Sequence, residues 1–246
     1  MWQFYRLKAE QLAEQERFRY ALNLIFEGDK DMAAKIKMMA PQLPAELNEA
    51  RWEDVLEDED RELVNGLLSG DRFEYEVMDR CILAKVRLRG CSFAHTTFDR
   101  MDLTDAVLEN CDLSNAVLQK GVIHRVHFKD CKLTGIDLSK ANLGFVTFEN
   151  CVMNLSDFGE ASLKQVRFTG SVLQNATFYG CKFKDVELDV CDLNEADFNN
   201  TSLKGMDIST CTYDRIDIPV DALAGCTVAP EQAIGFAKLL GLKVKG

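Results

Sequence analysis

The sequence lacks any uninterrupted apolar run that approaches the eighteen or so residues a membrane-spanning helix needs. Its start, MWQFYRLKAEQ, carries charges where a secretion signal would carry its apolar region, so we predict no signal peptide. Without an export signal, the nine cysteines are expected to be reduced thiols rather than a disulfide framework. These absences favour a cytoplasmic protein without a membrane partner.

Recognisable catalytic and metal-binding motifs are also missing. The sequence contains no glycine-rich phosphate loop, no His-Glu-x-x-His, no Gly-x-Ser-x-Gly and no Cys-x-x-Cys pair. Its three histidines are His95, His124 and His127, and a surface metal site at the last two is the weaker alternative to solvated side chains. We therefore predict that the protein is not an enzyme and that it uses no cofactor and no metal.

The negative charge is unevenly distributed along the chain. Of the formal net charge of −11, most lies in residues 1–80, which contain 11 basic and 19 acidic side chains. Residues 81–220 contain 15 basic and 19 acidic side chains, and the last 26 residues are slightly basic. Because polyanions attract basic proteins, this balance argues against direct binding of nucleic acid or of an anionic membrane.

A large apolar residue recurs at every fifth position from residue 83 to residue 218, over 28 positions without a frame slip. Two residues before it lies a small or β-branched residue, with Met101 and Met206 as the exceptions. Helices repeat at 3.6 residues and strands at 2, so neither explains a period of five. A chain that turns a corner at each repeat closes a four-sided coil every twenty residues. Seven such coils, spaced by about 4.8 Å, make a column of roughly 34 Å.

Six segments match the motif A-[D/N]-L-x-x, namely MDLTD, CDLSN, IDLSK, ANLGF, CDLNE and ADFNN. Residues 81–220 therefore resemble the pentapeptide-repeat family. The resemblance implies a mainly β fold, a right-handed quadrilateral parallel β-helix of about seven coils. On this interpretation residues 1–80 form an α-helical N-terminal cap or docking region, and residues 221–246 form a C-terminal capping or dimerisation helix.

Most cysteines are separated by multiples of twenty, so we expect them to stack on one side of the column. Six share this register, with Ser171 in the missing position: Cys91, Cys111, Cys131, Cys151, Cys191 and Cys211. Cys81 and Cys181 belong to another side. The favoured interpretation is a row of small inert core residues, and the alternatives are a metal site or a redox switch.

Three helices are predicted before the repeat. Phe18, Leu22 and Ile25 indicate a long helix that Gly28 ends, and a short second helix should run through Met38 and Met39. The apolar positions of the third, predicted over residues 51–68, are Trp52, Val55, Leu56, Leu63 and Leu67. The region then either covers the first coil or binds a partner.

The C-terminal segment predicts a helix that begins at Pro230 and ends at Gly241, with one face formed by Ala233, Ile234, Ala237 and Leu240. It resembles the C-terminal helix of bacterial pentapeptide-repeat proteins that protect type II topoisomerases from quinolones. That resemblance implies a homodimer joined through this helix, and a simple cap is the alternative. The candidate residues are Ile234, Phe236, Leu239, Leu240 and Leu242.

Function is expected on the outer walls, where carboxylates recur at intervals of twenty. The candidate partner-binding residues are Asp137, Asp157, Asp192, Asp197 and Asp217. The resemblance implies an acidic mimic of DNA that binds a protein partner, DNA gyrase or topoisomerase IV. The ordinary alternative is that these aspartates keep the protein soluble and bond to turn amides. A second hypothesis is a rigid scaffold or adaptor whose N-terminal helical region binds a protein. Phe145, Leu155 and Tyr179 are apolar at outward positions and are candidates for a docking surface.

Overall fold

The computed structural model describes residues 36–239 and 241–243 as a mainly β, parallel solenoid of about seven turns. The helices predicted before residue 36 lie outside the described residues. The strands are β1 (Asn48–Glu49), β2 (Glu62–Val64), β3 (Gly66–Ser69), β4 (Val77–Asp79), β5 (Ile82–Arg89), β6 (Thr97–Asp99), β7 (Asp102–Glu109), β8 (Val122–Lys129), β9 (Asn142–Glu149), β10 (Ser162–Thr169) and β11 (Lys182–Asp189). The helices are α1 (Trp52–Glu57), a 3₁₀ turn (Val220–Leu223) and α2 (Pro230–Leu239).

From β5 onward, the long strands pair in parallel with the strand twenty residues further along the chain. The main sheet has the order β1-β3-β5-β7-β8-β9-β10-β11, with β2 also on β5, and β4 pairs with β6. We name the four sides of a turn by their central residues: side A contains Leu103, side B Leu108, side C Leu113 and side D Leu118, each with its equivalents at intervals of twenty. The long strands span sides A and B. Single parallel bridges connect successive turns on sides C and D.

The predicted period of five is confirmed by the lumen of the solenoid. Of the 28 central residues, 26 are buried, and Phe183 and Tyr213 are half-buried against the same core. Phenylalanine rings form two stacks, one on side B through Phe148 and one on side D through Phe178, with centroids 4.9 Å apart within each stack. The two stacks meet edge to face, an arrangement that aromatic quadrupoles favour. The right-handed sense of the coil stays a prediction.

Each corner is turned by the residue two positions after the central one, which adopts a positive φ. This holds at successive fifth positions from Arg80 to Gly205, including Phe145 at 57°, Leu155 at 60° and Val190 at 52°. Left-handed backbone suits glycine and asparagine and disfavours branched side chains. The corners therefore explain why polar residues dominate this position of the repeat.

The N-terminal part of the solenoid differs from the predicted helices. The helix predicted over residues 51–68 is wrong beyond Glu57, because β2 and β3 follow it and pair with β5. The five-residue frame in fact begins earlier, at Leu63. Its first turn has Arg61 and Asp71 where later turns have small inward residues, and α1 buries Trp52 and Val55 in the core at this end. The Trp52 ring lies 4.9 Å from the ring of Phe93.

Helix α2 was predicted correctly in position. Pro230 is its first residue and Gly241, with φ of 74°, follows its end. Ala233 and Ile234, which belong to the predicted apolar face, are exposed, and Phe236 packs against the core. Leu242 is exposed, Leu240 lies outside the described residues, and the side chain of Leu239 is likewise not described.

Candidate partner-binding surfaces

The predicted row of aspartates lies on side D and is interrupted once, by Thr177. Asp137 bridges to Asp157, Thr177 follows, and Asp197 bridges to Asp217, so these side chains are spaced by about 4.8 Å per turn. Asp192 lies on side C, on the bridge between Val172 and Thr212. The sequence frame therefore grouped the four aspartates of side D in one row but did not assign Asp192 to a side.

These aspartates have a local structural role at their turns. A carboxylate oxygen of Asp157 accepts the backbone N–H of Gly159 at 2.7 Å, and Asp197 accepts that of Asn199 at 2.8 Å. Asp137 and Asp192 make the same contact two residues ahead. This contact is the Asx turn, which supplies an acceptor to an otherwise unpaired turn amide. Among the described residues, no ion pair joins any of the five predicted aspartates to a lysine or arginine.

Acidic side chains accumulate on sides C and D between residues 151 and 220, which we call the acidic surface. It contains seven carboxylates and one basic side chain, Arg215, which pairs with Glu195 at 3.6 Å. The seven carboxylates are Asp157, Glu160, Asp192, Glu195, Asp197, Asp214 and Asp217. Glu160 was absent from the predicted acidic residues, because it lies at a corner rather than in the Asp row.

The remaining acids of the C-terminal half lie elsewhere. Glu187, Asp189 and Asp207 belong to side B, and Asp185 lies at its corner with side A. Side A carries four exposed lysines in the same turns, Lys164, Lys182, Lys184 and Lys204. The net charge is therefore segregated around the column, with sides C and D acidic and side A basic.

Eight of the nine cysteine thiols are buried, including that of Cys211, whose pKa is lowered by its hydrogen bond with Cys191. Cys111, Cys131 and Cys151 donate to backbone carbonyl oxygens inside the column, at distances of 3.3 to 3.6 Å. Burial raises the pKa of Cys81 and Cys181 to about 12. A reactive cysteine needs a lowered pKa and access to solvent. The geometry therefore supports the interpretation of inert core residues.

The two histidines beside the A–B corner have different partners. His124 Nδ1 lies 2.8 Å from Arg125, and His127 Nε2 lies 2.9 Å from a carboxylate oxygen of Glu149. Within residues 36–239 and 241–243, no three metal-ligating side chains converge. In the same part of the chain, no helix is long and apolar enough to cross a membrane.

The outward apolar residues fall into two groups. Leu155 and Tyr179 are 63% and 45% exposed, near the acidic surface. Phe145 is only half-exposed, because it lies at the A–B corner with its ring 5.4 Å from that of His124. The sequence marked Phe145 as an apolar residue at an outward position, but it did not predict the contact with His124.

Comparisons with known proteins identify the repeat. Residues 81–119 match the family model of pentapeptide repeats, and residues 122–198 match that of the pentapeptide repeat region. No curated protein matches the chain. Full-length QnrB1, described as a plasmid-mediated fluoroquinolone resistance protein, is 17% identical, with 72% of this chain and 99% of that chain covered and a TM-score of 0.25. HetL, involved in heterocyst differentiation regulation in the cyanobacterium Nostoc sp. strain PCC 7120, is 18% identical, with 66% and 85% covered and a TM-score of 0.23.

Proposed function

Because this chain belongs to the pentapeptide-repeat family, we propose that it is a non-enzymatic protein that binds a macromolecular partner through the outer walls of its column. The packing supports binding at the walls, since side chains fill the lumen. A cavity of about 20 Å³ near the N-terminal end is lined by apolar residues such as Trp52, Leu83 and Phe93. Such a space offers no polar group that could orient a substrate.

The acidic surface is the proposed binding site, and its charge density is the observation that carries the proposal. Seven carboxylates lie along four turns, or roughly 19 Å, which is about one per 3 Å of column. Duplex DNA carries one negative charge per about 1.7 Å of axis, a value of the same order. A partner with a basic DNA-binding surface fits this wall. We propose a type II topoisomerase, DNA gyrase or topoisomerase IV, as the most specific candidate.

The test is supercoiling by purified gyrase, with and without a quinolone, in the presence of this protein. The triple variant Asp157→Asn, Asp197→Asn and Asp217→Asn removes three charges, while the amide oxygens at positions 157 and 197 still accept their turn N–H groups. We expect it to lose most of the effect on gyrase. The matched control is Asp185→Asn, Asp189→Asn and Asp207→Asn on the opposite surface, which should retain the effect. No effect of the unmodified protein at micromolar concentration, or equal loss in both variants, would contradict the proposal.

A homodimer through α2 is part of the proposal. Ile234 is 48% exposed and Leu242 58% exposed, and apolar side chains at a solenoid end favour association. Ile234→Glu should then halve the mass measured by light scattering. An unchanged mass would assign α2 to capping alone.

The adaptor alternative has one observation in its favour. Tyr75 and Val77 in the first turns are 73% and 78% exposed, on sides where later turns carry mainly polar residues. If this end carries the specificity, Tyr75→Ser with Val77→Ser should abolish partner capture while the Asn variants of the acidic surface retain it.

A further inference from the structure

Residues 36–47, which we call the strap, lie along the outer corner between sides A and B. The backbone N–H of Ile36 donates to Glu187 at 2.8 Å, and that of Gln42 donates to Asp105 at 2.9 Å. Glu187 lies four turns beyond Asp105, which is roughly 19 Å at about 4.8 Å per turn. Six extended residues at about 3.3 Å each span roughly 20 Å. The strap is therefore an extended segment parallel to the column axis, and the short helix predicted through Met38 and Met39 is replaced by it.

The hydrogen bonds that hold the strap run from side chains of the column to backbone groups of the strap. Gln165 donates to the carbonyl oxygen of Lys37 at 2.8 Å, and Arg167 donates to that of Ile36 at 3.5 Å. Together with Glu187 and Asp105, these side chains satisfy four backbone groups of the strap. Any extended segment presents the same N–H and C=O groups, so these contacts do not depend on the residues that carry them.

The corner beneath the strap departs from an ordinary repeat. Asp105 is 3% exposed and accepts two hydrogen bonds from Arg125, at 2.6 and 2.7 Å. A Cβ at Gly144 would come within 2.9 Å of His124, so glycine makes room for that ring. Phe145 then occupies a left-handed corner position that other turns give to polar residues. Packing of the lumen does not require these outward residues. Together they give the corner an apolar surface flanked by charged side chains that can bind a backbone.

The strap is weakly held compared with the ladders beneath it. Ile36, Met38, Pro41 and Leu43 are half-buried and the residues between them are exposed, and none of the four packs into the lumen core. Residues 36–44 form no strand, so the strap lacks the continuous ladder that stabilises each turn. Segments with few buried contacts and exposed backbone bonds open at low free-energy cost.

We propose that this corner is a peptide-binding site, that the strap is its resident occupant, and that an extended segment of a partner protein displaces it. The ligand would present apolar residues toward the corner at the positions of the four half-buried strap residues and would keep a backbone N–H at the positions of Ile36 and Gln42. Proline is accepted elsewhere, as Pro41 and Pro44 show. A partner is favoured over exchange between two copies, because each copy carries a net charge of −11. The site lies away from the acidic surface and does not depend on the function proposed for it.

The test uses the full chain and a fluorescent synthetic peptide with the sequence of residues 36–47. Gln42→Pro removes the N–H that Asp105 accepts and creates a Pro-Pro pair with Pro41. The matched control, Ala45→Pro, creates the same pair after Pro44 at an exposed residue. Because a hydrogen bond to a charged group is worth about a factor of ten or more, we expect Gln42→Pro to bind the peptide at least tenfold more tightly than Ala45→Pro. The unmodified chain should resemble the control, since its tethered strap competes at millimolar effective concentration.

Hydrogen exchange gives the second measurement. Residues 36–43 should exchange faster in Gln42→Pro than in the control and regain protection when the peptide is added. Adding Gln165→Ala to Gln42→Pro should weaken peptide binding severalfold. The carbonyl oxygen of the peptide residue that corresponds to Lys37 would then lose its hydrogen-bond donor. If the strap opens and the peptide binds no better, or if Gln42→Pro instead forms a dimer, the proposed site for a partner segment is wrong.

Discussion

At the scale of single residues, the corners are where the repeat is strained. Val190 has φ of 52°. A β-branched side chain in this left-handed region clashes with the backbone, which destabilises the fold by roughly 1–2 kcal/mol. The equivalent corner of other turns has glycine or asparagine, for example Gly90, Asn110 and Asn150. The fold tolerates this strain because adjacent turns constrain the corner on both sides.

Val190→Asn should therefore raise the free energy of unfolding by about 1 kcal/mol, as measured by urea denaturation. Asn110→Val, at the same corner four turns earlier, tests the opposite sign and should lower it by a similar amount. Equal stability of the two variants and the unmodified chain would show that the corners carry no strain.

The thiols give a second prediction at this scale. Burial raises the pKa of Cys81 and Cys181 to about 12, and that of the half-buried Cys226 to about 11. At pH 8, a thiol reagent should modify at most Cys226 in the folded protein and all nine cysteines after unfolding. Rapid modification of several thiols in the folded protein would exclude the inert-core interpretation.

The same pKa shifts predict the alkaline limit of stability. The ordinary cysteine pKa is 9.0, so above that pH the unfolded chain loses protons that the folded chain keeps until about 12. The free energy of unfolding should be constant with respect to these thiols below pH 9 and fall between pH 9 and 12. Cys81→Ala should make this fall shallower, and an identical pH profile would contradict the assignment.

At the scale of elements, the two ends of the column are closed by different chemistry. Helix α1 buries Trp52 at the end where the first turn has Arg61 and Asp71 in place of small inward residues. Helix α2 instead supplies Gln232, whose amide donates to the carbonyl oxygens of Ile208 and Cys211 at 3.0 and 2.8 Å. Its amide oxygen accepts the N–H of Ala229 at 2.8 Å. Gln232 therefore pairs with backbone groups of the last turn that would otherwise be free. Unpaired groups of this kind make an open sheet end prone to aggregation.

Gln232→Glu keeps the shape of this side chain but replaces the donor with a carboxylate that the two carbonyl oxygens repel. We expect a loss of roughly 2 kcal/mol of stability, about 1 kcal/mol for each lost hydrogen bond. Glu231→Gln, the matched change at the exposed neighbouring residue, should alter stability by less than about 0.5 kcal/mol. A negligible effect of Gln232→Glu in thermal denaturation would show that Phe236 alone holds the cap.

The two ends also show how far the sequence could predict the elements. The lumen was predictable because Leu113, Leu133 and their equivalents obey one period, and burial follows from it. The contacts of α2 with the last turn were not predictable, because they depend on the amide of Gln232, which the spacing of apolar residues does not indicate. The strap was not predictable either, since its contacts join Ile36 to Glu187 across 151 residues without a local pattern.

At the scale of the whole molecule, the register of twenty makes each turn exchangeable. Deleting residues 191–210 removes one complete turn and returns every later residue to its own side, so we expect a shorter column that still unfolds cooperatively. Deleting residues 191–205 preserves the period of five but moves each later residue to a different side, which separates the ladder partners. Circular dichroism during thermal unfolding should show a sharp transition only for the first deletion. Comparable transitions in both would mean that the sides are equivalent.

The partner-binding surfaces belong to this scale, and the sequence predicted them only in part. The frame correctly placed Asp157 and Asp197 in one row, because their separation is a multiple of twenty. The frame did not show that Asp192 and Asp185 lie on opposite surfaces of the column, although they are only seven residues apart in the sequence. Whether two residues share a surface depends on the side of the turn that each occupies as well as on their separation along the chain.

The constant rise per turn gives the column the property of a ruler. Every twenty residues of sequence correspond to one graduation of about 4.8 Å, whatever side chains are attached. A gain or loss of whole turns between two contact sites would change their separation in fixed steps without rotating one relative to the other. Partners that bind at two heights would therefore discriminate between columns by length alone.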